Sequence, residues 1–273
     1  MSRFGYRTRL GLIYDDILSS SFDADAQAFI TAANITDVTQ QSAITNFVIG
    51  LKTDGLWTNL KAIYPFVGGS ATSHKYNLKD PRDLDAAFRL SFVGGWTHTS
   101  GGAQPNGTNG YADTFLTPSG NLLQNSTHLS VYSRTNSNNG VDIGVNIPNG
   151  LYIISRYTAG FYRANNSLES NVGLIAPTTS LGLFLNNRII STEMSYWQNG
   201  VKQTDNTSPA RNSTGLSSYK IYIGAYNVNG TTAFQFSNRQ QALASIGNGF
   251  TDIEGSNFYT RVQTFQTALG RQV

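Results

Sequence analysis

Cysteine is absent from this 273-residue chain. Its absence excludes disulfide-stapled scaffolds, zinc sites built on cysteine, and thiol nucleophiles. Charged residues are scarce, at 13% of the chain against roughly 25% in a typical soluble protein. Histidine occurs only three times, and glutamate occurs only as Glu169, Glu193 and Glu254. The sequence therefore offers few groups for acid–base catalysis or metal binding.

Long apolar runs are also missing. No uninterrupted stretch approaches the ~18–20 residues of a membrane-spanning helix, and Met1 to Phe4 lead into no apolar signal-peptide core. We therefore expect a soluble protein without a Sec-type signal and without membrane insertion. The net charge is only +3, and its lysines and arginines are scattered, so we expect no nucleic-acid partner.

Glycine and aromatic residues are plentiful, with 27 glycines and 12% aromatics. After Phe66, apolar residues alternate in short runs such as Leu129–Ser133 and Val141–Val145, which is typical of β-strands. Pairs such as Asn199-Gly200 separate these runs and provide the positive φ angles of tight hairpin turns. Because no long helical pattern lies between the runs, the predicted fold class is mainly β, an antiparallel sandwich or jelly roll over residues 67–273.

Helical patterns occupy residues 23–66. Asp23 and Asp37 are suitable N-caps, and apolar residues follow each of them at helical spacing. A third short helix is expected over residues 56–63, because Pro65 disfavours helical geometry at the residue before it. Helices this short are not stable alone, so we expect them to pack on the sandwich.

The chain ends in another helical pattern. Thr251-x-x-Glu254 matches a capping box, and Phe258, Val262 and Phe265 follow on one face. A C-terminal helix docked on the sandwich is therefore predicted.

Residues 1–22 combine basic and aromatic residues with the apolar stretch Leu10–Tyr14. This segment is too short to form a core, so it is either an edge strand packed on its own domain or an arm that attaches the protein to a neighbouring subunit. The attachment candidates are Arg3, Phe4, Tyr6, Arg7 and Arg9.

Several motifs together resemble a known fold family. Asn109–Thr114 resembles a glycine-aromatic strand of concanavalin A-like and laminin-G-like domains, Tyr196–Lys202 resembles their aromatic-x-Asn-Gly turn, and Lys220–Ala225 resembles the strand that follows. The order of these motifs, over residues 23–273, is similar to modules of bacteriophage virion proteins. The resemblance implies a concanavalin A-like β-sandwich displayed on a particle.

Glucanases of this fold resemble one another in a Glu-x-Asp-x-x-Glu strand, whose alternation places acids on one face. None of the three glutamates falls in such a pattern, and Glu254 is explained as a capping residue. We therefore expect that the protein is not an enzyme.

Asp80, Asp83 and Asp85 form the densest acidic cluster. They are either calcium ligands, since this cation prefers several carboxylate oxygens, or a solvated turn with ion pairs to Lys79 and Arg82. The ion-pair interpretation is favoured. His74, His98 and His128 are isolated in sequence and lack the spacing of metal ligands, so no metal or other cofactor is predicted.

Two segments combine aromatic side chains with the amide, hydroxyl and carboxylate groups that bind sugars. The candidate glycan-binding residues are Trp96, His98, Tyr111 and Asp113 in the first segment, and Trp197 and Asn199 in the second. The alternative for Trp96 and Trp197 is a position in strands that face the core.

The predicted function is that of a bacteriophage virion structural protein on the virion surface. It is a head fibre, spike or decoration protein with a lectin-like sandwich that binds host or environmental glycans. We expect other virion proteins as partners through residues 1–22, and a homo-oligomer, taken as a trimer by analogy with fibres and spikes. The alternatives are a purely structural cementing protein, a bacterial surface lectin and a polysaccharide depolymerase.

Overall fold

The computed structural model describes residues 23–138, 140–146, 149–157, 178–203 and 212–273, together with the backbone of residues 160–167. The predicted attachment residues Arg3, Phe4, Tyr6, Arg7 and Arg9 lie outside the described part of the chain.

A central sheet forms the middle layer of the molecule. Its strands are β1 (Leu60–Tyr64), β3 (Trp96–Thr99), β4 (Gly102–Pro105), β6 (Thr127–Ser133), β10 (Gly182–Ile190), β11 (Glu193–Gln198), β12 (Val201–Lys202) and β16 (Gln241–Gly247). They are ordered β12-β11-β10-β6-β16-β4-β3, and β1 also pairs with β16. All of these pairings are antiparallel.

An outer sheet packs on one face of the central sheet. Its strands are β2 (Ser91–Val93), β5 (Tyr111–Asp113), β7 (Ile143–Val145), β8 (Gly150–Tyr157), β9 (Gly160–Ser167), β13 (Tyr222–Ile223), β14 (Tyr226–Asn227) and β15 (Ala233–Phe234). The order is β15-β14-β7-β13-β5-β2, with β8 on β7 and β9 on β8. Only the β7–β14 pair is parallel among the described pairs.

Helices cover the opposite face of the central sheet. The α-helices are α1 (Ala24–Ala32), α2 (Val38–Thr53), α3 (Ala71–His74), α4 (Pro118–Asn121) and α5 (Asp252–Ala268), of which α1, α2 and α5 form the helical layer. Asp23 and Asp37 cap α1 and α2, and the Thr251–Glu254 capping box begins α5, so these three predictions are confirmed. Among the described residues, no helix is long and apolar enough to cross a membrane.

The central sheet is buried on both faces. All seven residues of β6 and all seven of β16 are buried. Toward the outer sheet, side chains of both sheets form one core, which includes Leu129, Val131, Phe184, Ile143 and Ile223. Toward the helices lies a second core, which includes Leu183, Leu185, Trp197, Phe47 and Phe265. The predicted class, a mainly β antiparallel sandwich with N-terminal helices and a C-terminal helix, is confirmed.

The third helix predicted over residues 56–63 is wrong. Residues Leu56–Thr58 form a single 3₁₀ turn, and residues Leu60–Tyr64 continue as strand β1, which pairs with β16. Ala62 and Tyr64 enter the core between the sheets, while Leu60 and Ile63 enter the core under the helices. A strand that is buried on both faces carries apolar residues on both sides, so its pattern imitates that of a helix.

A buried ion pair joins the two sheets. Arg239, two residues before β16, donates to Asp142, just before β7, through Nε at 2.7 Å and Nη2 at 3.0 Å. Both side chains are fully inaccessible to solvent. The Ser155 backbone N–H and hydroxyl also donate to Asp142, at 2.7 and 2.6 Å. The carboxylate is therefore held by donors from two segments, the residues before β16 and strand β8.

A second buried polar group lies between the central sheet and α5. His128 Nδ1 lies 2.5 Å from the Asn248 carbonyl oxygen, so this nitrogen carries the hydrogen and donates it. Nε2 consequently accepts from the Ser245 hydroxyl at 3.0 Å. Burial lowers the pKa of His128 to about 4, although the hydrogen bond to Asn248 partly opposes this effect.

Replacing Arg239 by Met should destabilise the fold by roughly 3–5 kcal/mol, because Asp142 then remains charged and buried without its partner. Urea unfolding measures this loss. The double variant Asp142→Leu/Arg239→Met should recover much of the stability, whereas Arg82→Met, at an exposed ion pair, should change it little. A single Arg239→Met variant as stable as the parent would contradict this role of the pair.

Acid should weaken the fold through His128. In the unfolded state His128 takes up a proton near pH 6.5, whereas in the folded state it does so only near pH 4. The free energy of unfolding therefore falls as the pH drops from 6.5 to 4, by roughly 3 kcal/mol in total. His128→Gln should remove the part of this pH dependence that comes from His128. The part that comes from His74, whose pKa is also lowered, should remain. Unfolding free energies at pH 7, 6, 5 and 4.5 test this, and an unchanged slope in the variant would refute it.

Candidate functional site

The candidate site lies on the outer sheet at the edge formed by β2 and β5. Residues paired across neighbouring strands point to the same face. Ser91 lies opposite Asp113, and Asp113 lies opposite Tyr222. Ala112 points into the core between the sheets. Tyr111 and Asp113 therefore share the face that is turned away from the central sheet, and both side chains are half-buried.

Asp113 is the charged group at the centre of this face. Its Oδ2 accepts a hydrogen bond from Lys220 Nζ at 3.0 Å. The rings of Tyr111 and Tyr222 pack nearby with their centroids 4.6 Å apart. Burial, and then the charge of Asp113 and the neighbouring Tyr111, raises the pKa of Tyr222 to about 12. The Tyr222 hydroxyl is therefore protonated and uncharged at neutral pH.

Phe115 extends the same face. Its backbone N–H donates to Asp113 Oδ1 at 2.8 Å, and its φ of 57° lies in the left-handed region that bulky residues rarely adopt. The half-buried ring has Lys220 Nζ at 4.5 Å and the Arg89 guanidinium at 5.9 Å from its centroid. The result is an aromatic ring in contact with Lys220, beside the Lys220–Asp113 ion pair.

Sequence reasoning found part of this face and missed the rest. Tyr111 and Asp113 were predicted, whereas Phe115 lies beyond the end of β5 with a positive φ, so strand alternation does not place it. Lys220 lies 107 residues after Asp113 in the chain, and no local pattern connects the two. Only the pairing of β13 with β5 brings them together.

Trp96 has a different position from the one proposed for sugar stacking. It is half-buried at the edge between the two sheets, where its indole Nε1–H lies 3.1 Å from the Tyr111 carbonyl oxygen and 3.2 Å from that of Val93. Its ring tip lies against Gly224, where an added Cβ would come within 3.2 Å of it. Trp96 therefore supports the backbone of the site from the core side.

His98 lies half-buried on strand β3, where it contacts His74, a residue 24 positions earlier in the chain. His98 Nδ1 and His74 Nδ1 lie 2.9 Å apart, so one donates a hydrogen bond to the other. Burial, followed by the proximity of His98 and Arg271, lowers the pKa of His74 to about 3, and burial also lowers the pKa of His98. Both rings are neutral at pH 7 and link α3 to the edge strand β3.

Trp197 belongs to the core. Only 4% of it is exposed, and its Nε1–H donates to the Ser195 hydroxyl at 3.2 Å. Its indole lies beneath α5, where a Cβ on Gly255 would approach it to 3.3 Å. This burial corrects the proposal that Trp197 stacks on a sugar.

Asn199 forms part of the turn that follows strand β11. Asn199 and Gly200 have φ angles of 49° and 77°, so the predicted tight Asn-Gly hairpin is confirmed. The Asn199 Oδ1 accepts a hydrogen bond from the Leu183 N–H at 2.8 Å. Its side-chain oxygen is therefore already used within the fold.

The acidic cluster consists of ion pairs. Asp80 binds Arg82 at 2.7 Å, Asp83 binds Lys75 at 2.5 Å, and Asp85 binds Arg89 at 2.8 Å. A neighbouring cation lowers the pKa of Asp80 and of Asp83. Within the described ranges, no group of three or more histidine, aspartate or glutamate side chains is placed to hold a metal ion.

No protein-family model matches this sequence, and no curated protein matches it. Solved structures with a similar fold include domain 4 of AbnA, an extracellular GH43 arabinanase from Geobacillus stearothermophilus, in complex with arabinotriose. It has 13% identity and a TM-score of 0.47, and the match covers 73% of this chain and 98% of that domain.

Two further solved structures are similar over part of their length. The binding domain of botulinum neurotoxin serotype D has 7% identity and a TM-score of 0.48, with 75% of this chain and 52% of that domain covered. Trypanosoma rangeli sialidase in complex with DANA has 8% identity and a TM-score of 0.48, with 79% and 38% covered. This chain thus spans about half or less of the latter two proteins, and the comparison with all three concerns the fold alone.

Proposed function

We propose that this protein binds glycans on the outer sheet, through the strip formed by Tyr111, Asp113 and Phe115 with Lys220. The observation that supports this best is a carboxylate–ammonium pair close to aromatic rings. Lys220 Nζ lies 3.0 Å from Asp113 Oδ2 and 4.5 Å from the centroid of the Phe115 ring, and the Tyr111 ring packs on Tyr222, which is paired with Asp113.

The chemistry of a sugar ring matches this strip. One face of many pyranose rings is lined with C–H groups, which pack on the electron-rich face of an aromatic ring. The hydroxyls at the ring edge need both acceptors and donors. Asp113 provides acceptor oxygens and Lys220 provides ammonium hydrogens, 3.0 Å apart. Adjacent hydroxyls of one sugar would therefore bind both groups at once.

Reversible binding, without hydrolysis, is part of the proposal. Glycoside hydrolysis normally requires a pair of carboxyl groups, one of them protonated at working pH. Glu254 accepts from the Thr251 N–H in the helix cap at 2.7 Å, and Glu193 lies 3.4 Å from Lys202. Glu169 lies outside the described residues. Ser245, which contacts His128, is completely buried and so has no access to a substrate.

Display on a bacteriophage virion is the wider setting that we propose, with residues 1–22 as the attachment to other virion proteins. The resemblance of residues 23–273 to virion modules supports it. The layer order supports it too, because α1 follows directly on residues 1–22 and lies on the side opposite the outer sheet. We propose a homo-oligomer, taken as a trimer, which the mass of the intact protein in solution tests.

Glycan-array binding and titration calorimetry test the proposed strip. Phe115→Ala and Tyr111→Ala should each weaken binding about tenfold, since an aromatic contact contributes roughly 0.5–1.5 kcal/mol beyond its buried area. Asp113→Asn should weaken it further by removing the charged acceptor. The control is Phe234→Ala, which removes an aromatic that is 53% exposed at the opposite edge of the same sheet.

Two outcomes would reject glycan binding as proposed. If the intact protein binds no glycan on the array, the purely structural cementing function becomes the better account. If Phe234→Ala weakens binding as much as Phe115→Ala, the strip is not the site. Release of reducing ends from a bound polysaccharide would overturn the non-enzymatic assignment.

Attachment through the N-terminal residues can be measured on particles. Replacing Arg3, Arg7 and Arg9 together by Ala should reduce incorporation into virions severalfold, because the three substitutions remove the cationic groups proposed to bind other virion proteins. Quantitative immunoblotting of purified particles measures this, with Arg82→Ala as a surface-charge control. Equal incorporation of the triple variant and the control would refute attachment by these residues.

A further inference from the structure

The strip proposed for glycan binding continues along the surface beyond Phe115. The guanidinium carbon of Arg89 lies 5.9 Å from the centroid of the Phe115 ring. The same guanidinium binds Asp83 through Nη1 at 3.1 Å and Asp85 through Nε at 2.8 Å. The two carboxylate side chains are 45% and 55% exposed, so their oxygens can accept further hydrogen bonds from a ligand. Arg89 and its two carboxylates thus form a row of polar groups beside the ring.

A second aromatic ring lies at the far end of this row. Asp83 Oδ2 lies 2.5 Å from Lys75 Nζ, which in turn lies 5.1 Å from the centroid of the Tyr76 ring. Tyr76 is half-buried, because part of it packs on the core under the helices. The Leu90 N–H donates to the Lys75 carbonyl oxygen at 2.7 Å, which holds this segment beside Arg89. A half-buried aromatic ring therefore lies at each end of one continuous row of polar contacts.

The charges of the strip and the row balance one another. Three cations and three carboxylates take part, namely Lys75, Arg89, Lys220, Asp83, Asp85 and Asp113. Each cation lies within 3.1 Å of at least one of these carboxylates. A polyanionic chain would have to compete with the carboxylates for the cations, whereas the hydroxyls of an uncharged sugar can bind both donors and acceptors. The charge balance therefore favours a neutral ligand.

We propose that the site holds a neutral oligosaccharide of several units, with one sugar on the Phe115 ring, another on the Tyr76 ring, and hydroxyls of the units between them bound to the polar row. This inference rests on the proposed glycan binding and names the class of ligand. Once one sugar is bound, the others in the same chain reach the second ring intramolecularly, so affinity rises with chain length. A disaccharide occupies the Phe115 end, where the Lys220–Asp113 pair adds donors and acceptors.

Titration calorimetry of the full-length protein with short and long oligosaccharides tests this ligand class. The probes are the di- and hexasaccharides of glucan, xylan, mannan and galactan, with heparin oligosaccharides of the same lengths as polyanionic counterparts. We expect the hexasaccharide of the recognised glycan to bind about tenfold more tightly than its disaccharide. This affinity should change less than about twofold between about 50 and 500 mM salt, because the bound sugar carries no charge.

Variants at the far end of the row should change this ratio of hexasaccharide to disaccharide affinity. Tyr76→Ala should lower it about tenfold, since an aromatic contact is lost, whereas Phe115→Ala should weaken the binding of both ligands. Asp83→Ala should lower the ratio severalfold and lies at an exposed position, so folding should be retained, which circular dichroism verifies. The matched control is Asp80→Ala, because Asp80 pairs with Arg82 outside the row.

Equal affinities of the native protein for the two chain lengths would overturn the extended site while leaving glycan binding at Phe115 in place. A fall of the ratio in Asp80→Ala as large as in Asp83→Ala would also overturn it. Tighter binding of heparin oligosaccharides than of the neutral ones would refute the neutral ligand class. If neither these probes nor the glycan array show any binding, the proposed function itself is rejected, and this inference with it.

Discussion

Burial of the central sheet on both faces is the constraint on which the rest of this structure depends. Strands β6 and β16 have no exposed residue, so one face requires the outer sheet and the other requires α1, α2 and α5. Neither the helices nor the short outer strands would be stable alone, because each buries its apolar face only against this sheet. The same layering places the strip that we propose as the glycan site on the outer sheet, on the opposite side of the central sheet from the helical layer.

A sheet covered on both sides also encloses charged groups, and two of its buried arginines are held by hydrogen bonds. Arg239 and Asp142 neutralise one another where the two sheets meet. Arg271, near the C-terminus, donates to the carbonyl oxygens of Pro65, Phe66 and Ala242, and burial lowers its pKa to about 9. An unpaired buried charge is strongly unfavourable. The contacts of Arg239 and Arg271 therefore hold the ends of neighbouring strands and helices in place, which local propensity alone would not do.

The geometry of the candidate site depends on how the two sheets pack together. Trp96 and His98, which the sequence suggested as sugar contacts, are hydrogen-bonded to the Tyr111 carbonyl and to His74, while Tyr111 and Asp113 lie on the face of the outer sheet that is turned away from the central sheet. Two neighbouring edge strands, β3 of the central sheet and β5 of the outer sheet, thus contribute differently to the candidate site. Alternation along Trp96–Thr99 could not reveal which side faced solvent, because that depends on where the second sheet lies.

Local signals in the sequence determined the helix starts at Asp23, Asp37 and Thr251, the Asn199-Gly200 turn and the mainly β class, because caps, turns and alternation are set by residues close together in the chain. Tertiary structure alone decided that residues 60–64 form a strand, that Trp197 is buried and that His74 meets His98. It also placed Lys220 and Phe115 beside Asp113. The physical reason is that burial and cross-strand pairing depend on segments up to a hundred or more residues apart, which no local pattern records.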